Sequence, residues 1–128
     1  LGVDVLDFDL PFFTGPEACL HLLSLVSPVD TDLAVAYPPL MPTAFWVELQ
    51  RRGVRLLEVP EEEFLRTQAT NVLAVAPRRV IVLDGSPVTR RLLEEAGCEI
   101  VAFPGAPLSF KSEGGPTCLT RPVLRDPE

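Results

Sequence analysis

Apolar and polar positions alternate with two different periods along this chain, and the switches between them mark out short elements. From Val3 to Leu10, apolar Val3, Val5 and Phe8 stand against Asp4, Asp7 and Asp9, the two-residue period of a strand. An apolar run from Cys19 to Val26 and a second from Leu33 to Tyr37 flank the turn-rich Ser27–Asp32, which predicts a hairpin. Pro42 and Thr43 then open a helix that closes at Gly53. Proline suits the first turn of a helix, and glycine suits the left-handed position past its last. Val54–Val59 follows as a strand stopped by Pro60.

The same order then returns. Val72–Ala76, a tight connection at Pro77–Arg79 and Val80–Leu83 predict a second hairpin. Ser86 is an N-cap by residue type and Pro87 fits the first helical turn. Val88, Leu92, Leu93 and Ala96 share one helical face before Gly97, and Glu99–Phe103 is the returning strand. A further unit is expected to begin at Cys118–Leu124. The repeat is therefore ββαβ, with a period of roughly 50 residues, and such periods mark stacked or radially arranged units. One small sheet with one covering helix cannot close its own core. Units set around an axis protect each other's edges, so the pattern predicts an α/β propeller. Its parts are a strand at 3–10, a blade at 19–60, a blade at 71–104 and a strand at 118–124. The strands at either end are expected to belong to cut units of a larger propeller whose N-terminal blades are absent. Half of a doubly wound sheet is the competing architecture. Its strands would alternate singly with helices, and no glycine-rich phosphate loop follows any strand here.

Composition narrows the partners. The 128 residues carry 18 carboxylates against 11 Lys and Arg, a net charge of -7 with no basic patch, which argues against nucleic acid and anionic membranes and suits a cationic ligand. Fourteen prolines and eight glycines break the apolar runs well short of the roughly 18 residues of a membrane span. Three cysteines without CxxC spacing read as free thiols in a reducing, cytoplasmic compartment. Glu61–Glu63 reads as a solvated acidic helix start, and the pairs Arg51–Arg52, Arg78–Arg79 and Arg90–Arg91 as scattered surface charge.

If the repeats superpose, the residues entering the first strand of each unit are His21, Asn71 and Cys118, at nearly constant spacing. They are a general acid/base, an amide hydrogen-bonder and a nucleophile. A Cys and a His distant in sequence but close in the fold make the constellation of covalent thiol catalysis. The expectation is that Cys118 and His21 face one central cavity. Gly114 and Gly115 precede the thiol and let backbone approach a ligand. Cys98, between a helix end and a strand, reads as a buried, inert thiol, and Asn71 by type is a turn residue before a strand. A zinc site at Cys19, His21 and Cys118 matches no standard ligand spacing, so neither metal nor cofactor is expected.

Three stretches, Cys19–Ser24, Val59–Phe64 leading to Asn71–Val75, and Gly114–Cys118, follow the order of motifs in the guanidino-group-modifying superfamily. The chain resembles the C-terminal half of these arginine deiminases, amidinotransferases and dimethylarginine dimethylaminohydrolases, and most closely the last branch. The resemblance implies a five-bladed α/β propeller with a central site, and an enzyme acting on the C–N bond of an arginine-derived guanidino substrate. It assigns Cys118 as the nucleophile and His21 as the acid/base. Asn71, Ser24, Gly114, Gly115 and Thr117 fall to substrate binding. It also implies that the carboxylates gripping the guanidinium come from earlier blades or from another chain completing the propeller. Leu23 stands where relatives often carry Lys or Asp, which leaves the substrate open, and no residue here decides between hydrolase and transferase. The alternative is a non-catalytic propeller module that binds a small ligand or a protein.

Overall fold

The computed structural model describes residues 2–15, 21–105 and 114–123. Two three-stranded sheets form the body, each built in the same order. In the first, β1 (Val26–Asp30) pairs antiparallel with β2 (Leu33–Ala36), and β2 pairs parallel with β3 (Arg55–Glu58) after the crossover helix α2 (Thr43–Arg51). A short helix α1 (Leu22–Leu25) leads into β1, and α3 (Glu61–Thr67) leads to the second sheet. There β4 (Leu73–Ala76) pairs antiparallel with β5 (Arg79–Leu83), which pairs parallel with β6 (Glu99–Phe103) after the crossover helix α4 (Pro87–Glu95). The predicted ββαβ unit is present twice.

The repetition extends to single hydrogen bonds. Arg55 N–H donates to the Asp32 carbonyl in one unit, and Glu99 N–H to the Arg78 carbonyl in the other, both at 2.8 Å. Val54 N–H bonds the Leu49 carbonyl, as Cys98 N–H bonds that of Leu93. Gly53 at φ 72° and Gly97 at φ 81° take the left-handed turn after each crossover helix, where a side chain would strain the backbone.

Packing of the units follows from strand alternation. β2 is buried at every position, because its two faces meet different partners. Ala34 and Ala36 face α2, joined by Phe45 and Leu49, whereas Leu33 and Val35 face the second unit and share its core with Leu93 of α4 and Ala96 just past the helix end. The helix of one unit therefore covers the sheet of the other. A clamp at the hairpin tips adds to this: Arg78 donates from Nε to Asp30 at 2.9 Å, from Nη2 to Asp32 at 2.7 Å, and from Nη1 to the Ala96 carbonyl at 2.8 Å. Arg78, read from sequence as stray surface charge, is the cation that joins the two units. The corresponding outer face of the second sheet has no covering helix among the described residues, and it leaves Val75 and Val101 half exposed.

Several expectations change. Residues 3–10 form no strand. Val3 and Val5 are exposed, whereas Phe8, tilted against Phe45 with ring centroids 5.0 Å apart, and Leu10 are half-buried against the body. Alternation makes a strand only where an edge supplies ladder bonds, and none of the described strands lies beside this segment. Residues 118–123 are turn and coil, not a strand, with Leu124 outside the described residues. Of the apolar run Cys19–Val26, Cys19 and Leu20 lie outside the described residues, and Leu22–Leu25 form a helical turn. An apolar run without periodicity fits a helix as well as a strand, so the first hairpin strand falls later than expected, on Val26–Asp30 within the expected turn, and the turn itself is Thr31 and Asp32. Glu63 is buried. Its carboxylate accepts from Val88 N–H at 2.8 Å, Thr89 N–H at 2.9 Å and Thr89 Oγ1 at 2.6 Å, and so caps α4. Ser86 holds the N-cap position without a side-chain cap bond, its hydroxyl being paired with that of Thr67.

Candidate active site

Cys118 lies in a single helical turn that starts at the two glycines. Its N–H and that of Leu119 both donate to the Gly115 carbonyl at 3.1 Å, and Thr120 Oγ1 donates to the Pro116 carbonyl at 2.6 Å. Gly114, Gly115 and Pro116 are buried beneath the turn, and the thiol is exposed. Glycine is required at 115, since a Cβ there would come within 2.7 Å of the Cβ and Oδ1 of Asn71. Gly115 makes room for Asn71, Gly114 lies against Cys118 and Leu119, and both are buried under the turn, not on open surface.

Asn71 is the contact between this turn and the body. Its Oδ1 accepts from Thr117 N–H at 2.9 Å and from Thr117 Oγ1 at 2.7 Å, while Nδ2 donates to Cys118 Sγ at 3.2 Å. Thr117 N–H can only donate, which fixes the amide with oxygen toward Thr117 and nitrogen toward the sulfur. The preceding turn is set by Gln68, whose left-handed backbone at φ 54° brings its carbonyl to Asn71 N–H at 2.8 Å.

The same short segment reaches toward His21. Thr70 Oγ1 donates to the Ser24 carbonyl at 2.6 Å, Ser27 Oγ donates to the Thr70 carbonyl at 2.6 Å, and Val72 N–H donates to Ser27 Oγ at 3.2 Å. These bonds tie α1 and β1 to the start of β4. His21 holds the N-cap position of α1, exposed, with its backbone N–H directed to Ser24 Oγ at 3.4 Å.

The sequence-predicted residues thus fall into two connected groups. Asn71, Thr117, Cys118, Gly114 and Gly115 meet directly, and Ser24 and His21 are joined to them through Thr70. Among the described residues no hydrogen bond links the imidazole to the thiol. The repeat argument that paired His21 with Asn71 fails in detail. Strand register equates Ser27 with Leu73 and therefore Leu25 with Asn71, so His21 precedes the equivalent position by one helical turn. Cys118 enters a turn rather than a strand. Both residues stand at the surface. A recess of about 300 Å³ is lined by Leu83, Asp84, Ser86, Pro87, Arg90 and Ala102, and a pocket of about 10 Å³ lies behind Asn71. Neither contains His21 or Cys118.

Thr70 escaped sequence reasoning, although a Thr beside a candidate Asn at a strand entry is a local signal for side-chain to backbone bonding. Cys98 is the contrast to Cys118: it is buried, and burial pushes its thiol above the ordinary value, with the Arg78 guanidinium partly opposing.

Known proteins share this fold. Among curated relatives, arginine deiminase from Mycobacterium avium is 29% identical over 87% of this chain and 34% of its own length. An amidinotransferase of the saxitoxin biosynthetic pathway from Microseira wollei superposes with a TM-score of 0.71 at 19% identity, over 90% of this chain and 34% of its own. DDAH from Pseudomonas aeruginosa, a cysteine-to-serine mutant complexed with citrulline, superposes with a TM-score of 0.60 at 24% identity, over 81% of this chain and 37% of its own. The chain spans about a third of the length of these proteins. The arginine deiminase family model matches residues 41–125. That match takes in the second sheet, Asn71 and the Cys118 turn, and by it the chain belongs to the arginine deiminase family, within the guanidino-group-modifying superfamily that its motifs resemble.

Proposed function

We propose that this chain is the C-terminal portion of an enzyme that cleaves or exchanges the C–N bond of a guanidino substrate through a covalent adduct on Cys118. The observation that carries the reading is the exposed thiol held by Asn71 in a family whose relatives act on guanidino groups. In this mechanism the Cys118 thiolate attacks the guanidinium carbon and forms a C–S bond. A bound cation beside the sulfur favours the charged nucleophile. His21 gives a proton to the departing nitrogen as the C–N bond breaks. It then takes a proton from water, or from an acceptor amine, which attacks the same carbon, and the C–S bond breaks to return the thiolate. With water the product carries a ureido group, the group present in the citrulline bound to the P. aeruginosa relative.

The site is open here, and we assign its remaining walls, with the carboxylates that hold the cation, to further units of a five-bladed propeller. The uncovered outer face of the second sheet supports this. Val75 and Val101 occupy positions whose first-sheet counterparts, Val29 and Leu57, are buried in the core shared by the two units. A further unit, supplied by the same polypeptide or by another chain, fits that face.

The test uses the complete protein. Cys118→Ser is expected to abolish turnover of arginine-type substrates, read as release of ammonia or amine and formation of ureido product, while the fold is retained. His21→Ala is expected to form the adduct with an activated substrate and stall at its breakdown, visible as a mass increase on Cys118. Unchanged turnover in either variant removes that residue from the mechanism. Residues 1–128 alone are expected to be inactive, and turnover by them unaided would reopen the architecture.

A further inference from the structure

We propose that Asn71 is a positioning residue for the thiol: its side-chain amide fixes the direction in which Cys118 is presented. This rests on the reading of Cys118 as the nucleophile, and it moves Asn71 away from substrate binding. The two Thr117 bonds take up both lone pairs of Oδ1, and one Nδ2 hydrogen goes to the sulfur. Thr117 Oγ1 is 3.9 Å from Sγ, but its proton is committed to Oδ1. Asn71 is thus the described side chain that donates to the sulfur.

The amide can direct the sulfur because it is itself immobile. Asn71 is 8% exposed, its N–H is bonded to the Gln68 carbonyl, and the backbone of Gly115 lies against its side chain. On either side of it in sequence, Thr70 is bonded to Ser24 and Ser27, and Val72 to Ser27. A residue held from so many directions transmits the position of α1 and β1 to the thiol-bearing turn. His21 sits on the same α1, so Asn71 and Thr70 together set the acid/base segment and the nucleophile in one frame. A freely rotating cysteine would have to find its attack direction at each turnover, and fixing it beforehand lowers that cost.

The decisive variant is Asn71→Asp in the complete protein. A carboxylate of the same shape keeps both Thr117 bonds and sets an oxygen lone pair, in place of an N–H, against the sulfur. Alkylation of Cys118 by iodoacetamide near neutral pH, followed residue by residue by mass spectrometry, is expected to slow about tenfold, the effect of one hydrogen bond of ordinary strength. In substrate turnover kcat is expected to fall by a similar factor, with KM within about twofold of its original value. Thr117→Val leaves Oδ1 anchored by the backbone N–H alone, and is expected to slow alkylation about threefold, so the idea can still be tested if the aspartate variant folds poorly. Unchanged alkylation in both variants overturns the proposal, and a raised KM beside it would assign Asn71 to the substrate. Slowed alkylation with unchanged turnover keeps the positioning role and overturns the catalytic reading of Cys118.

Discussion

Glu63→Gln isolates a contact between elements distant in sequence. The carboxylate takes three hydrogen bonds from the first turn of α4, each assisted by its negative charge, and it faces the positive end of the helix. Glutamine can keep the Thr89 bonds through its remaining oxygen, weakened by loss of charge, but its NH₂ then opposes Val88 N–H. One charge-assisted bond is worth about 1.5–3 kcal/mol, and an unsatisfied buried donor costs about 1–3 kcal/mol. Part of that sum overlaps, so a net loss of about 3 kcal/mol is expected, or roughly a hundredfold in the opening equilibrium of α4. Native-state hydrogen exchange at the Val88, Thr89 and Arg90 amides measures it directly. Ser86→Ala provides the comparison. Among the described residues that hydroxyl bonds only the one on Thr67, so its loss is expected to cost about 1 kcal/mol, although Ser86 is the residue that sequence rules nominate as the cap. A Glu63→Gln effect below about 0.5 kcal/mol, or one smaller than that of Ser86→Ala, would refute the reasoning.

Other changes test the remaining contacts. Gly115→Ala places a Cβ against Asn71, and is expected to displace the Cys118 turn and cut thiol alkylation severalfold with little change in melting temperature, since the turn lies outside the main core. Arg78→Ala removes three partners at the joint between units. Because the side chain is partly exposed and screened, the expected cost is about 1–2 kcal/mol, read by denaturant unfolding of the complete protein. The Cys98 thiol is raised by burial, so the folded chain holds this proton more tightly than the unfolded one. Its stabilising contribution is complete below the ordinary thiol value of 9.0 and is lost as pH rises through the folded value. Cys98→Ala should therefore flatten the alkaline decline in melting temperature. An identical decline in both proteins would assign it to other groups.

The order and type of most elements are legible in the amino-acid sequence, because periodicity and turn chemistry act over a few residues. Gly53 and Gly97 close their helices as expected, and Leu93 and Ala96 are buried on the helical face assigned to them. Local patterns misled at Val3–Leu10, where alternation lacked a neighbouring edge. They misled again at Leu22–Leu25, where four residues of an apolar run had no period to choose helix over strand. The candidate site divides in the same way. Cys118, His21 and Asn71 can be nominated from residue type and motif order. That Asn71 lies against the sulfur, that Thr70 ties it to the His21 segment, and that Glu63 caps a helix begun two dozen residues later are consequences of packing one unit on the next. Each is a contact across an inter-unit surface, and its energy depends on a geometry that no short window of sequence contains.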